Sequence, residues 1–209
     1  MISYIKNKLH EATEYSKLIS TVYSYAHDIK VKSRMHLDDV TFAKKFYRSR
    51  TGRNLNLEDP KTFDEKQWWM KIHYRHPLMT ICADKYRVRE YVRECRLENI
   101  LNKLYGVYKS ADEIDYDKLP NEFILKTNHG CGGNFICTDK QQFPKSKVAK
   151  ILNRKLNENY YYQSREWPYK NINPCIIAEK LLRNDNGEPL IDYRFLCFRG
   201  KCKCIFIDI

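Results

Sequence analysis

No stretch of this chain strings together the roughly 18 apolar residues that a membrane-spanning helix needs, so nothing in it reads as crossing a bilayer. The N-terminal segment "MISYIKNKLHEATEYSKLIS" lacks a continuous apolar core and does not read as a secretory leader. No pair among the eight cysteines has the C-x-x-C spacing of a zinc knuckle or redox site. A cytoplasmic protein with reduced thiols is the economical reading. Internal repeats and long low-complexity stretches are also missing, which leaves one large domain or two small ones.

What is present is charge and aromatic surface. Lys and Arg number 38 against 26 Asp and Glu, a formal net charge of +12. Such a chain suits an anionic partner: a nucleotide, a phosphosugar, an acidic polymer, nucleic acid or a membrane surface. Composition does not choose among these, and a basic balance also serves solubility alone. Sixteen tyrosines give rings that pack while keeping a polar tip.

The first half reads as helical. Apolar groups near helical period over residues 2–31 predict one or two amphipathic helices, with Lys6, Lys8, Glu11, Glu14 and Lys17 on the polar face. Mixed acids favour packing on the domain and leave peripheral membrane contact open. "DDVTFAKKFYRSR" (38–50) predicts a helix starting near Asp38 or Asp39. Thr62 and Glu65 have capping-box spacing ahead of "FDEKQWWMKIHYRH", which Pro77 should end. "LMTICADKYRVREYVRECR" predicts one basic helix bearing Lys85, whose plainest reading is a solvated face. Beyond Pro120 the pattern changes to strands: "EFILKTN", "NFICTD", the buried-type "PCIIAEKLL", and a hairpin from "IDYRFLCF" through "RGK" to "CKCIFIDI". One helix, beginning at "KSKVAKILNRKL", lies between them. The expected organisation is N-terminal helices over 1–37 and an α+β domain with antiparallel sheets over 38–209.

"FILKTNHGCGGNFIC" (123–137) concentrates three of the chain's seven glycines in four positions, directly after a strand lysine. Glycines admit a ligand close to the backbone and turn successive N–H groups toward it, which suits phosphate oxygens. Lys126 would add charge to the same phosphates. No Lys-Ser or Lys-Thr follows the glycines, so this is not a Walker A loop. It lacks G-x-G-x-x-G and returns into a strand, so it is not a dinucleotide fingerprint either. A hairpin with a bulged glycine turn is the competing reading. "IIAEKLL" (176–182) could set backbone groups against an adenine edge, with Glu179 toward a ribose or amino group; a salt-bridged strand end explains it as simply.

In order, these features resemble the TupA-like ATP-grasp family. The resemblance rests on "NLNLEDPKTFDEKQWWMKIHYRHPL", "ADKYRVREYV", "LPNEFILKTNHGCGGNFIC", "NYYYQSREWPYKNINPCIIAEKLL" and "DYRFLCFRGK", and spans roughly 38–209. It implies an ATP-grasp-like α+β fold clamping ATP, a place in bacterial cell-surface polysaccharide synthesis, and an ATP-dependent carboxylate–amine ligase, or a glycosyltransferase as family members are often labelled. It implies Lys85 and Lys126 as phosphate-contacting lysines. His129, Gly130, Gly132, Gly133 and Asn134 would form the loop over the phosphates, and Glu179, Lys180 and Leu181 the adenine hinge. Asp192 and Arg194 would face nucleotide or acceptor, the acceptor being an anionic or glycan molecule. Arg165, Trp167 and Tyr169 form an acceptor-side candidate on charge and aromatic content alone, with packing equally open.

Family members also use Mg2+ held by late Glu and Asn or Asp side chains, and no such set occurs before Ile209. The chain therefore reads as cut short at its C-terminus and weak or inactive as a ligase. Against a sugar transferase, no D-x-D-like pair follows a strand on a loop. Against nucleic acid, no binding motif accompanies the charge. Three cysteines, Cys197, Cys202 and Cys204, lack a fourth zinc ligand nearby and read as buried free thiols.

Overall fold

The computed structural model describes residues 29, 31–184 and 190–208; most of the predicted N-terminal helices therefore lie outside the described residues. The chain divides into two units. One takes the chain up to Glu98 with Asn128–Cys131 and Leu156–Pro174; the other takes Asn99–Thr127, Gly132–Lys155 and Cys175–Ile209.

The first unit is helical. Helix α1 (Asp39–Thr51) starts where Asp38 accepts the Thr41 N–H and stops at Gly52, whose φ of 73° is the left-handed cap that glycine takes without a Cβ penalty. Helix α2 (Phe63–His73) opens on the expected capping box: Glu65 N–H donates to Thr62 Oγ1, and Thr62 N–H donates to Glu65 Oε2 at 2.9 Å. The Thr62 N–H, with the Lys61 N–H, holds the Glu65 carboxyl below its usual range. The cap is thus complete at neutral pH and weakens as acidification protonates Glu65. Thr62→Ala should cost about 1 kcal/mol in urea unfolding, and the deficit should shrink as Glu65 titrates. A core of Phe42, Ala43, Tyr47, Leu55 and Trp68 lies buried, with Phe46 and Ile72 packed against it.

Pro77 does not stop α2, which already ends at His73 with Tyr74 as its cap. It is the first residue of α3 (Pro77–Ala83), where its missing N–H costs nothing. The single basic helix expected from Leu78 is in fact two, α3 and α4 (Val88–Glu94), broken at Asp84. Asp84 Oδ1 accepts the Tyr86 and Arg87 N–H groups, a side-chain turn that competes with helix continuation. Nor is the basic run wholly solvated: Arg89 is buried. The unit also holds the short helix α6 (Tyr161–Ser164).

The second unit carries an antiparallel sheet of β1 (Leu104–Tyr108), β2 (Phe123–Thr127), β3 (Phe135–Cys137) and β4 (Ile176–Glu179), in the order β1-β4-β2-β3. Central β4 is buried at every position, as its apolar run over 176–178 requires, with Glu179 at its end. Phe123 meets Phe143 edge-on at 5.3 Å in the core. Helix α5 (Lys145–Leu156) buries Val148 and Leu152. The hairpin of β5 (Asp192–Phe198) and β6 (Lys201–Asp208) turns through Arg199 and Gly200, both at positive φ, the twist a two-residue hairpin needs. All its residues are exposed, and so are Cys197, Cys202 and Cys204, which corrects their reading as buried thiols. Helices and antiparallel sheets together make an α+β fold. No helix among the described residues is long and apolar enough to cross a membrane.

Candidate functional site

Lys126 stands on β2, one position before the strand's end. Its Nζ lies 2.7 Å from Glu179 Oε2 at the end of β4, and the Glu179 side chain is only 7% exposed. The antiparallel register explains the meeting: Ile124 lies opposite Glu179 and Lys126 opposite Ile177, so the lysine reaches diagonally along one face. The strand lysine and the hinge glutamate are thus one ion pair within the second unit.

Immediately past β4, the Lys180 N–H donates to Lys103 O at 2.9 Å, and Lys180 O accepts the Asn102 side-chain amide at 2.9 Å. The chain then leaves the sheet. Among the described residues no acceptor meets the Leu181 N–H. A carbonyl fixed by an amide beside an uncommitted N–H matches the paired acceptor and donor of an adenine edge.

The glycine loop runs through both units: 128–131 belong to the first, and 132 onward to the second. In the first unit its base is tightly tied. Buried Asn128 donates through Nδ2 to Asp84 Oδ1 and to Asn173 O, both at 2.9 Å. Lys85 N–H donates to Asn128 O at 3.0 Å, and Lys85 Nζ donates to Gly130 O at 2.7 Å. Lys85 therefore sits on the turn after α3, not on a continuous helix, and its ammonium holds the loop's backbone. His129 is 7% exposed, with Nε2 facing Glu158 O at 3.0 Å, so that nitrogen carries the proton and the ring braces the loop.

Gly130, Gly132 and Gly133 all have positive φ, at 78°, 77° and 73°. Their surroundings differ. A Cβ on Gly130 would lie 3.1 Å from the Tyr160 ring, and one on Gly133 would lie 2.7 Å from Lys155 Cδ. A Cβ on Gly132 would meet nothing within 4 Å among the described residues beyond its chain neighbours, so that face of the backbone is open to close approach. Left-handed glycines with one open face fit a loop that turns N–H groups toward phosphate oxygens. Asn134 is exposed beside them, as is Cys131 at the tip.

Asp192 and Arg194 are set differently. Both stand on the exposed hairpin, where Asp192 lies opposite Asp208 and Arg194 pairs with Asp208 across the ladder. Arg165 is 1% exposed in the first unit, wrapped in its own chain; it carries no surface for an acceptor. The chain's one D-x-D spacing is that of Asp115 and Asp117. It lies in a short helical turn where Asp115 accepts the Asp117 N–H and pairs with Lys118. Among the described residues no group of three His, Cys, Asp or Glu side chains is disposed to hold a metal ion. Sequence reasoning also missed Asp84, Asn128, Tyr160 and Lys155, because each earns its place at the loop through a partner distant in the chain.

No curated protein and no solved structure matches the chain. A family model does: that of TupA-like ATPgrasp, over residues 65–209. The matched span takes in the turn carrying Lys85, the strand lysine, the whole glycine loop and the β4 hinge. The chain belongs to the TupA-like ATP-grasp family.

Proposed function

We propose that this chain binds ATP and serves an ATP-dependent carboxylate–amine ligase in bacterial cell-surface polysaccharide synthesis. The observation that carries the reading is the Lys126–Glu179 pair, held between a glycine loop open at Gly132 and a strand exit with an uncommitted Leu181 N–H. ATP would supply the phosphoryl group that activates a carboxylate toward an amine. Lys126 and the N–H groups around Gly132, Gly133 and Asn134 would hold its phosphates, and Lys180 and Leu181 its adenine. Glu179 would orient Lys126 and meet the ribose. Lys85, His129 and Gly130 would fix the loop's first half, while family resemblance also gives Lys85 a phosphate-contacting part. Asp192 and Arg194 would face the nucleotide or an anionic or glycan acceptor. The described residues offer no built Mg2+ site, so no step is assigned to a metal.

Calorimetric titration of the 209-residue chain with ATP and with UDP-sugars tests this. Binding of ATP in preference to UDP-sugars is expected. The reverse preference would give the site to a sugar transferase, and binding of neither would end the reading. Cys131 gives an independent readout. Exposed at the loop tip, it should be alkylated by iodoacetamide, and saturating ATP should slow that reaction severalfold. Unchanged labelling with bound ATP would remove the loop from the nucleotide site.

A further inference from the structure

The Lys155 side chain lies on the glycine loop. Cδ and Cε would stand 2.7 and 2.9 Å from a Cβ at Gly133, and Nζ 3.6 Å from it. The missing side chain at 133 is therefore what gives the lysine its berth, in addition to the left-handed φ of 73°. Lys155 belongs to the last turn of α5, and its stem runs along the loop backbone in the same unit. A stem that only needed cover could lie against any apolar surface. Here it carries the ammonium to within 3.6 Å of the Gly133 Cβ position, on the loop itself.

We infer that Lys155 is a third cation of the phosphate cradle, donating to the polyphosphate chain held by Gly132 and Gly133. This rests on the ATP reading above. The competing account is that Lys155 serves only the helix: a cation in the last turn is favoured by the helix dipole.

Lys155→Met separates the two, because it keeps the stem over Gly133 and removes only the charge. Titrations with ATP, adenosine and tripolyphosphate should show ATP and tripolyphosphate affinity falling about tenfold or more, with adenosine unchanged. Lys155→Arg should recover most of the loss. If Lys155→Met lowers the thermal midpoint and leaves the ATP-to-adenosine affinity ratio as in the wild type, Lys155 is a helix residue and the inference is overturned. If the wild type binds tripolyphosphate but not ATP, the ATP reading fails and Lys155→Met against tripolyphosphate still decides. If the wild type binds neither, both fall.

Discussion

Arg165→Ala is expected to destabilise the first unit by about 3–5 kcal/mol, the usual cost of breaking a buried ion pair and leaving its partners unmet. The guanidinium is 1% exposed. Its Nη2 donates to Arg34 O at 2.8 Å and Leu37 O at 2.7 Å, and Nε stands 3.3 Å from Asp39 Oδ1. Among the described residues neither Nε nor Nη1 makes a hydrogen bond, but the group lies 4.5 Å from the centre of the Phe42 ring and 5.0 Å from that of Tyr161, so aromatic faces stand in. Asp39 also takes Arg75 and the Tyr161 hydroxyl, whose phenol is pushed well above its ordinary value by burial and then by that carboxylate. One arginine thus joins the segment before α1, α1 itself and α6. Lysine keeps the charge but not the fork that meets two carbonyls and a carboxylate together, so Arg165→Lys should still lose about 2 kcal/mol. Arg165→Gly relieves the left-handed backbone at φ 56° without restoring any partner, and should remain strongly destabilised. All three tryptophans, Trp68, Trp69 and Trp167, lie in this unit, so urea unfolding followed by tryptophan fluorescence reports it directly. A loss below about 1 kcal/mol for Arg165→Ala would mean that the surrounding rings hold the segments without the charge.

Arg165 marks the limit of what the sequence disclosed. A charged residue beside two aromatics reads as a surface loop, because its partners, Arg34, Leu37 and Asp39, stand more than 120 residues away in the chain. Signals carried by adjacent residues were legible. Thr62 and Glu65 announce a helix start because both halves of the box lie within three positions. The apolar run at 176–178 announces a central strand because burial on both faces forbids alternation. The break at Asp84 was hidden in a helical pattern, since it is stabilised by the amide of Asn128. The site divides in the same way. Its glycines and Lys126 show in a short motif, whereas Lys155 and Tyr160 reach the loop through tertiary folding and leave no local trace.

Lys126→Met is expected to have the largest effect on the proposed nucleotide site, and the Glu179 pairing lets that effect be separated from stability. The substitution takes the Lys126 ammonium away from the buried Glu179 carboxylate, so the second unit should lose about 3–5 kcal/mol. It also removes a cation from the phosphates, and truncating one member of a desolvated charged contact weakens affinity by about 30-fold or more. Glu179→Gln in the Lys126→Met background removes the buried negative charge while keeping a polar side chain of the same size, so most of the stability should return. The preference for ATP over adenosine should not, because no cation has been restored. Glu179→Gln alone should keep that preference, since Lys126 then has only the phosphates to meet. Urea unfolding and calorimetric titration of the four proteins close the cycle. Recovery of the ATP preference together with stability in the double variant would show that Lys126 acts by holding the strands together, and the phosphate role would pass to other cations of the loop. Persistent loss beside recovered stability leaves one physical account: Glu179 balances the charge on Lys126 until a polyphosphate takes its place.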